Sequence, residues 1–305
     1  MRTSIAWLLA APAAAWAVAR WLGLERGFPL VPLMAYTPYA AVAALLVALV
    51  VLGLRRRGPA VVATLAAVSL LAGVVPRAVG GDSAPAGGPR LRVLSANVAA
   101  GSTSARGLVE LARRERVDVL SVQELTPRFA ARLEAAGVGS LLPHAVLEAR
   151  PRYAGTGLYA RAPLRARPPV RAGFTMAAAE GRGFAIVAVH PPAPLRPSTL
   201  GAWRRGLRAL PSAGRTGPVR ILAGDFNASL DHAELRRVLD SGYEDAADAV
   251  GAGLVPTWPS GTRALPPVTI DHVLTDRRAG VREVSVHDLP GSDHRAVLAE
   301  LVLPR

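Results

Sequence analysis

The sequence predicts an α/β sandwich domain that follows about three transmembrane helices. Residues 1–76 are dominated by Ala, Leu and Val and hold few charges, as segments that cross a bilayer do. From residue 91 onward, apolar strands alternate with amphipathic helices and polar residues follow the strand ends, which is typical of α/β domains. We therefore expect a membrane anchor over 1–78, a flexible linker over 79–90 and a soluble domain over 91–305.

The anchor contains three apolar runs, at about 4–20, 30–54 and 60–76. The middle run is 25 residues long without a charge, which is enough to cross a bilayer, and the outer two are near the lower limit of about 17 residues. Each is predicted to be a helix, because backbone groups in lipid must hydrogen-bond internally. A cleaved signal peptide is an alternative for the first run alone, and buried helices of a soluble domain are the alternative for the other two.

Arginines predict the orientation of the anchor. Arg55, Arg56 and Arg57 form the densest short-loop cluster, and the positive-inside rule places such clusters in the cytoplasm. Three spans then put everything after Arg77 on the extracytoplasmic side of the cell membrane. The Gly, Pro and Ser content of residues 80–89 predicts that the linker is flexible.

Charge and cysteine content narrow the function. The chain has no Cys, which excludes disulfides, thiolate metal sites and Cys nucleophiles. Its formal charge of +14 comes from arginine alone, and the part after residue 76 has 30 Arg against 21 acids, a net charge of +9. Such a domain attracts polyanions, including nucleic acid and anionic lipid head groups. The alternative is that the base composition of the genome favours Arg over Lys.

The elements of the soluble domain follow from hydrophobic periodicity and turn residues. Its apolar segments predict strands at 91–98, 117–122, 157–159, 184–189, 221–223 and 268–274. Amphipathic segments predict helices at 104–116, 127–136, 200–210 and 232–239.

Eight acidic, amide or imidazole residues lie at the ends of the strands: Asn97, Glu124, His190, Asp225, Asn227, Asp271, Asp293 and His294. Ligands of open α/β sheets bind beyond strand ends. Oxygen ligands without Cys suit a hard cation such as Mg²⁺ or Mn²⁺, and an Asp beside a His supplies an oriented base or a metal ligand. For Asp225 and Asn227 by themselves, an ordinary turn is the alternative.

The order of these motifs resembles the endonuclease/exonuclease/phosphatase superfamily, whose members include deoxyribonuclease I, abasic-site endonucleases, sphingomyelinases and inositol-polyphosphate 5-phosphatases. The motifs are a strand ending in Asn97, the pair Gln123-Glu124, His190, Gly-Asp-Phe-Asn at 224–227, Ile-Asp-His-Val at 270–273 and Ser-Asp-His at 292–294. The resemblance covers residues 91–303. It implies a four-layer α/β sandwich with two central mixed β-sheets flanked by helices.

The resemblance also implies a metal site. Glu124 is similar to the principal Mg²⁺ ligand of the family, helped by Asn97. Asp293 is similar to a further metal ligand.

The resemblance assigns catalytic roles to the other five residues. Asp225 is similar to the residue that activates or positions the attacking water or protonates the leaving group, and Asn227 to the residue that orients it. His294 is similar to the histidine that contacts the scissile phosphate, and Asp271 to the carboxylate that orients that histidine. His190 matches a second histidine that faces the phosphate in several members, although a structural strand end is the alternative.

Several other residues are interpreted from context. Glu148 and Glu180 are candidates for a second acid beside His190, and Arg150, Arg152, Arg161, Arg165 and Arg167 either grip phosphates or form a solvated face. His272 is expected to pack beside Asp271. His144, His232 and His287 have no motif context and are predicted to lie at the surface.

Together these features indicate a membrane-anchored, outward-facing phosphoester hydrolase that depends on a divalent metal. Its expected substrate is nucleic acid, a phospholipid head group or a sugar phosphate, which water attacks in line at phosphorus. The alternative is a catalytically inactive binding module of the same fold that is tethered to the membrane.

Overall fold

The computed structural model describes residues 2–81, 87–261 and 265–305. Two six-stranded mixed sheets lie face to face, helices cover their outer surfaces, and three long apolar helices precede them. Residues 82–86 of the predicted linker lie outside the described residues.

The described helices form two groups. Those of the anchor are α1 (Arg2–Leu22), α2 (Leu30–Leu33), α3 (Thr37–Gly53) and α4 (Arg57–Val74). Those of the soluble domain are α5 (Ala105–Arg114), α6 (Pro127–Ala135), α7 (Val138–Leu141), α8 (Pro197–Arg208), α9 (Ala233–Asp240) and α10 (Ala246–Ala249).

The strands divide equally between the two sheets. The first sheet contains β1 (Arg90–Asn97), β2 (Val119–Gln123), β3 (His144–Glu148), β4 (Thr156–Ala160), β11 (Gly280–Asp288) and β12 (Arg295–Val302). The second contains β5 (Arg165–Ala172), β6 (Phe174–Gly181), β7 (Phe184–Val189), β8 (Val219–Asp225), β9 (Tyr243–Asp245) and β10 (Asp271–Asp276).

Each sheet has one parallel pair at its centre. The order is β11-β12-β1-β2-β4-β3 in the first sheet and β5-β6-β7-β8-β10-β9 in the second. The pairs β1–β2 and β7–β8 are parallel, and the other pairings are antiparallel. Because parallel neighbours end at the same edge of a sheet, this arrangement gathers polar strand ends together.

Strand side chains alternate between an inner and an outer core. On β1, Val93 packs between the two sheets, whereas Leu94 packs under α5 and α6 with Leu108 and Phe129. On the second sheet, Leu222 of β8 packs in an outer core with Trp203 of α8 and Leu235 of α9. Both faces of each sheet are therefore buried, and the predicted four-layer sandwich is confirmed.

Local sequence signals set the starts of the outer helices. The Ser104 hydroxyl accepts a hydrogen bond from the Gly107 amide, and the Thr126 hydroxyl accepts one from the Phe129 amide. Both are N-caps, which satisfy backbone donors that the first helical turn leaves open. Pro127 occupies the first turn of α6, where its missing N–H costs nothing.

The anchor contains three helices that are long and apolar enough to cross a membrane, at Thr3–Leu22, Leu30–Gly53 and Arg57–Ala78. Their mutual contacts are rich in alanine, including Ala44 and Ala67. Small residues let helix backbones approach closely in lipid.

One end of the anchor packs on the loop before α9. The buried Asp231 carboxylate accepts hydrogen bonds from Arg20 Nε at 2.5 Å and from Arg77 Nη1 at 2.8 Å. The Val31 carbonyl lies 2.9 Å from His232 Nε2. His232 is only 1% exposed, so its predicted surface position is wrong. Burial against the anchor lowers the pKa of His232 to about 4, so this side chain is a neutral part of the interface.

Candidate active site

The site lies where the central strands of both sheets end. β1 ends at Asn97, which pairs in register with Gln123 of β2. In the other sheet, Asp225 at the end of β8 lies opposite Asp271 at the start of β10. The two sheets thus bring an amide and two carboxylates to one edge of the sandwich.

Asn97 connects the two sheets at this edge. Its Nδ2 atom donates to Glu124 Oε1 at 3.2 Å and to Asp225 Oδ2 at 3.0 Å, and its Oδ1 accepts from the Ala99 amide at 3.0 Å. The side chain is fully buried. Asn97 therefore fixes the distance between the carboxylates of Glu124 and Asp225.

Asp225 is the centre of the cluster. The backbone N–H of Asn227 donates to Asp225 Oδ1 at 2.8 Å. Nε2 of His190 and Nε2 of His294 each lie 3.7 Å from Asp225 Oδ2. The Asn227 side chain is held in turn by the Pro191 carbonyl, at 3.1 Å from its Nδ2. One buried carboxylate thus lies close to two imidazoles.

His294 and Asp271 form a buried pair. His294 Nδ1 lies 2.9 Å from Asp271 Oδ2, and the Asp271 amide donates to Thr257 Oγ1 at 3.1 Å. The Ser292 hydroxyl accepts from the His294 amide at 3.0 Å and donates to the Asn97 carbonyl at 2.7 Å. The ring is therefore held so that Nε2 points toward Asp225.

The two histidines carry different charges at neutral pH. Burial alone would lower the pKa of His294, but the carboxylates of Asp271 and Asp225 raise it above its ordinary value. Burial and the charge of His294 lower the pKa of His190 to about 3. Burial, together with the charge of Asp271, raises the pKa of Asp225. The site therefore contains an imidazolium, a neutral imidazole and a carboxylate of raised basicity.

Two site residues adopt backbone conformations that are unusual for residues other than glycine. Glu124 has φ of 58° and Asn227 has φ of 49°, both in the left-handed region. This conformation costs free energy for a side chain like Glu and is found mainly where function requires it.

Glu124 offers the clearest place for a cation. Its Oε2 atom is buried and has no hydrogen-bond partner among the described residues, and burial raises its pKa. A buried carboxylate oxygen without a donor fits a divalent cation, since Mg²⁺ and Mn²⁺ prefer oxygen ligands. Asp293 lies at the same pocket, where its Oδ2 accepts from Trp258 Nε1 at 3.2 Å.

A second group could also hold a metal ion. Ligand atoms of Asp225, Asp271 and His294 all lie within 4.8 Å of one another. In this group, however, both oxygens of Asp271 already contact His294 Nδ1. The unpartnered oxygen of Glu124 makes its side of the site the better fit.

The structure brings the eight predicted residues to one pocket. Six of them line it directly: Glu124, His190, Asp225, Asn227, Asp293 and His294. Asn97 and Asp271 lie behind these residues, bonded to Asp225 and His294.

The two candidate acids lie elsewhere. Glu148 pairs with Arg150 at 2.9 Å, and Glu180 pairs with Arg165 at 3.1 Å and with Arg167. None of these residues lines the pocket. These pairs favour the solvated-face interpretation of the arginines.

Three neighbours of the predicted catalytic residues had been given no role from the sequence. Thr257 and Ser292 hold Asp271 and His294 through hydroxyl hydrogen bonds, and the Phe174 ring lies 5.2 Å from the His190 ring. Phe174 lies on β6 and His190 follows β7, so no local signal marks Phe174. Ser292 is adjacent to the Asp293-His294 motif, and that adjacency could have identified it.

His272 is structural, as its position beside Asp271 predicted. Its Nδ1 lies 2.7 Å from Asp245 Oδ2 and its Nε2 lies 2.9 Å from the Ala228 carbonyl. Both nitrogens face oxygen acceptors away from the pocket.

Comparison with known proteins agrees with this fold. A family model described as "Endonuclease/Exonuclease/phosphatase family" matches residues 94–294. Comparison with curated protein sequences gives no match.

Solved structures resemble the chain at low identity. Humanized D. rerio TDP2 is 18% identical with a TM-score of 0.54, and the match covers 70% of this chain and 98% of that one. D. rerio TDP2 complexed with single-strand DNA product gives 18% identity, a TM-score of 0.53 and the same coverage. A Leptotrichia buccalis protein of this family is 15% identical with a TM-score of 0.52, covering 69% of this chain and 99% of that one. At such identities the likeness concerns the fold alone.

Proposed function

Because the chain belongs to the endonuclease/exonuclease/phosphatase family, we propose that it is a membrane-anchored, outward-facing phosphoester hydrolase that depends on Mg²⁺ or Mn²⁺. The observation that carries this proposal is the environment of Asp225, a buried carboxylate within 3.7 Å of two imidazole nitrogens. A general base needs a raised pKa and a fixed position, and Asp225 has both.

In the proposed reaction, Asp225 positions a water molecule and accepts its proton. The water oxygen bonds to phosphorus while the bond from phosphorus to the leaving oxygen breaks, and the leaving oxygen takes a proton from solvent. The backbone N–H of Asn227 keeps the Asp225 carboxylate oriented through a hydrogen bond of 2.8 Å. Fixed groups of this kind lower the barrier because they need no reorganisation during the reaction.

The two histidines contact the phosphate in the proposed complex. His294 is held as an imidazolium by Asp271 and neutralises charge that develops on a phosphate oxygen. His190 is neutral and donates a hydrogen bond to a second oxygen. Glu124 and Asp293 would hold the divalent cation, which when bound would neutralise phosphate charge. Asn97, predicted as a further ligand, would instead orient Glu124 through its Nδ2 donor, because its Oδ1 already accepts from the Ala99 amide.

The outward orientation is supported by the two ends of the anchor. Arg55, Arg56 and Arg57 are exposed at the turn between α3 and α4. The soluble domain packs at the other end of α4, at Arg77, about 27 Å away for a helix of 18 residues. If the arginine cluster is cytoplasmic by the positive-inside rule, the domain is extracytoplasmic.

A nuclease is the second candidate within this reaction class. It is favoured by the net charge of +9 after residue 76 and by the likeness to D. rerio TDP2, which was solved with single-strand DNA product. DNA binding commonly depends on such positive charge.

The test is hydrolysis by the purified full-length protein in detergent, with Mg²⁺, Mn²⁺ or EDTA. The substrates are plasmid DNA, RNA, sphingomyelin and phosphoinositides. We expect turnover that EDTA abolishes and that Asp225→Ala lowers by at least about 10³-fold. Asp240→Ala, an exposed aspartate at the end of α9, is the matched control. If no substrate is hydrolysed with either metal, the inactive binding module replaces this proposal.

A further inference from the structure

The anchor contributes one wall of the catalytic pocket. Pro32, Ala35 and Tyr36 line the same pocket as Asp225 and His294. All three wall residues lie within the helical segment Leu30–Gly53, which is long and apolar enough to cross a membrane. The proposed catalytic groups and the outer end of this membrane span therefore lie on opposite walls of one pocket.

The wall is packed firmly against the site. Ala35 belongs to a buried cluster with Val268 and Ile270, against which Tyr36 and Trp258 also pack. Ile270 directly precedes Asp271. The Trp258 ring lies 6.4 Å from the His294 ring. A single layer of side chains thus separates the membrane span from the catalytic histidine.

Aromatic residues mark the level of the membrane surface. Trp21 is 52% exposed and Tyr39 is 44% exposed, and the Tyr39 hydroxyl donates to the Pro267 carbonyl at 2.7 Å. Tryptophan and tyrosine concentrate at the boundary between lipid and water. Since Tyr39 lies one turn beyond Tyr36 on the same span, the pocket wall is at the level of the outer lipid head groups.

The rim of the pocket is apolar where it meets this boundary. Leu195 and Leu265 line the pocket and are 58% and 51% exposed, so both contribute apolar surface at its rim. Among the described lining residues, Arg196 supplies the single arginine. A nucleic acid site relies on many basic contacts to phosphates, so this pocket is poorly suited to a polyanion.

We propose that the substrate is a membrane lipid phosphoester, an inference that rests on the proposed function and names its substrate class. The phosphate lies between His190, His294 and Asp225. The lipid chain passes over Leu195, Leu265 and Pro32 into the outer leaflet beside α3. Hydrolysis transfers the phosphorus from the leaving oxygen to the oxygen of water, and the lipid never leaves the bilayer.

The test uses the full-length protein in phosphatidylcholine vesicles with Mg²⁺ and two matched pairs of substrates. Dioleoyl phosphatidate is paired with glycerol 3-phosphate, and dioleoyl phosphatidylglycerol with glycerophosphoglycerol. A single-stranded oligonucleotide is the third class. We expect kcat/KM for the lipid of at least one pair to exceed that of its soluble partner by about tenfold or more, because each buried methylene of the chain adds binding free energy.

The outcomes separate this inference from the proposed function. Turnover that depends on Asp225 but favours the soluble partners or the oligonucleotide keeps the hydrolase and overturns the lipid substrate. Absence of any turnover that depends on Asp225 overturns both.

Rim variants give a second, internal measurement. Leu195→Glu and Leu265→Glu should each lower the ratio of lipid to soluble kcat/KM by about tenfold, since a charge replaces the apolar surface that meets the chain. Leu147→Glu is the matched control, because Leu147 is 41% exposed on β3 and lies outside the pocket. The ratio does not depend on the fraction of folded protein. An equal ratio in the rim variants and the control would contradict the inference.

Discussion

His294 Nδ1 lies 2.9 Å from Asp271 Oδ2, and this contact joins residues that are 23 positions apart in sequence. Both side chains are buried, so the pair keeps the imidazole charged and pointed at Asp225.

Asp271→Asn should lower kcat for the best phosphoester substrate by about 10²- to 10⁴-fold. The amide keeps the shape of the side chain but no longer favours the imidazolium of His294. Steady-state kinetics of the full-length protein measure this effect. Asp288→Asn, an exposed aspartate at the end of β11, is the control and should retain wild-type kcat. Equal rates for the two variants would remove Asp271 from the mechanism.

Glu124→Gln should weaken binding of Mg²⁺ or Mn²⁺ by at least about tenfold, because a neutral amide oxygen replaces the buried carboxylate oxygen. Isothermal titration calorimetry without substrate measures the affinity directly. Glu134→Gln on α6 changes the same group at an exposed position and should bind the metal as the wild type does. Unchanged affinity in Glu124→Gln would point instead to the group formed by Asp225, Asp271 and His294.

Stability should fall as pH rises above neutral because of His272. Burial lowers its pKa, but the charge and hydrogen bond of Asp245 raise it overall above the ordinary value. A histidine whose pKa is raised by folding stabilises the fold fully at pH values below its unfolded-state pKa of about 6.5. This stabilisation is lost as pH rises through the folded-state pKa of His272. The free energy of unfolding should therefore be larger at pH 6 than at pH 9.

Thermal unfolding of the full-length protein across this pH range tests the prediction. Asp245→Asn should reduce the fall in stability between pH 6 and pH 9 and leave the part that the raised pKa of His294 contributes, whereas His144→Gln on β3 should leave the whole fall in place. A wild-type protein that is equally stable at both pH values would show that the His272 pair contributes nothing.

Asp231→Ala should destabilise the protein by roughly 3–5 kcal/mol, because it leaves the buried guanidinium groups of Arg20 and Arg77 without a counter-charge. Burial alone would raise the pKa of Asp231, but hydrogen bonds and charges from these arginines lower it, so the carboxylate is ionised at neutral pH. Thermal unfolding with Asp240→Ala as the control measures the loss. A thermal unfolding midpoint equal to that of the control would mean that the interface tolerates two buried arginines without a counter-charge.

Much of the fold was predictable because its signals are local. The three spans need only apolar length, and the central strands are short apolar runs with turn residues at both ends. The strand that contains Asp225 is buried along most of its length, so its hydrophobic run is continuous.

The strands that were missed lie toward the sheet edges. β5 is largely exposed, contains Pro168 and Pro169, and has an irregular register between Arg167 and Val170. Proline within a run argues against a strand unless the strand is at an edge. No apolar alternation in β5 could have indicated that β6 would pair with it.

The candidate site was predictable as a set of residues but not as a geometry. The polar strand ends identify Asn97 and Asp225, yet the hydrogen bond between them crosses from one sheet to the other. The position of His232 was wrong for the same reason, since its partner Val31 lies 201 residues earlier. The catalytic roles of the eight residues stay predictions until the variants are measured.

The contacts of Arg20, Arg77 and Val31 with Asp231 and His232 have a practical consequence for anyone who prepares the enzyme without its anchor. Cutting the chain before β1 would leave the Asp231 carboxylate without Arg20 and Arg77 and His232 Nε2 without its acceptor, and would expose the apolar surface on which Val31 packs. Such a fragment would aggregate readily and would display a distorted loop beside its catalytic groups. Low activity of this fragment would reflect the removal of the anchor helices. The reaction itself is best assayed with the whole chain in a bilayer.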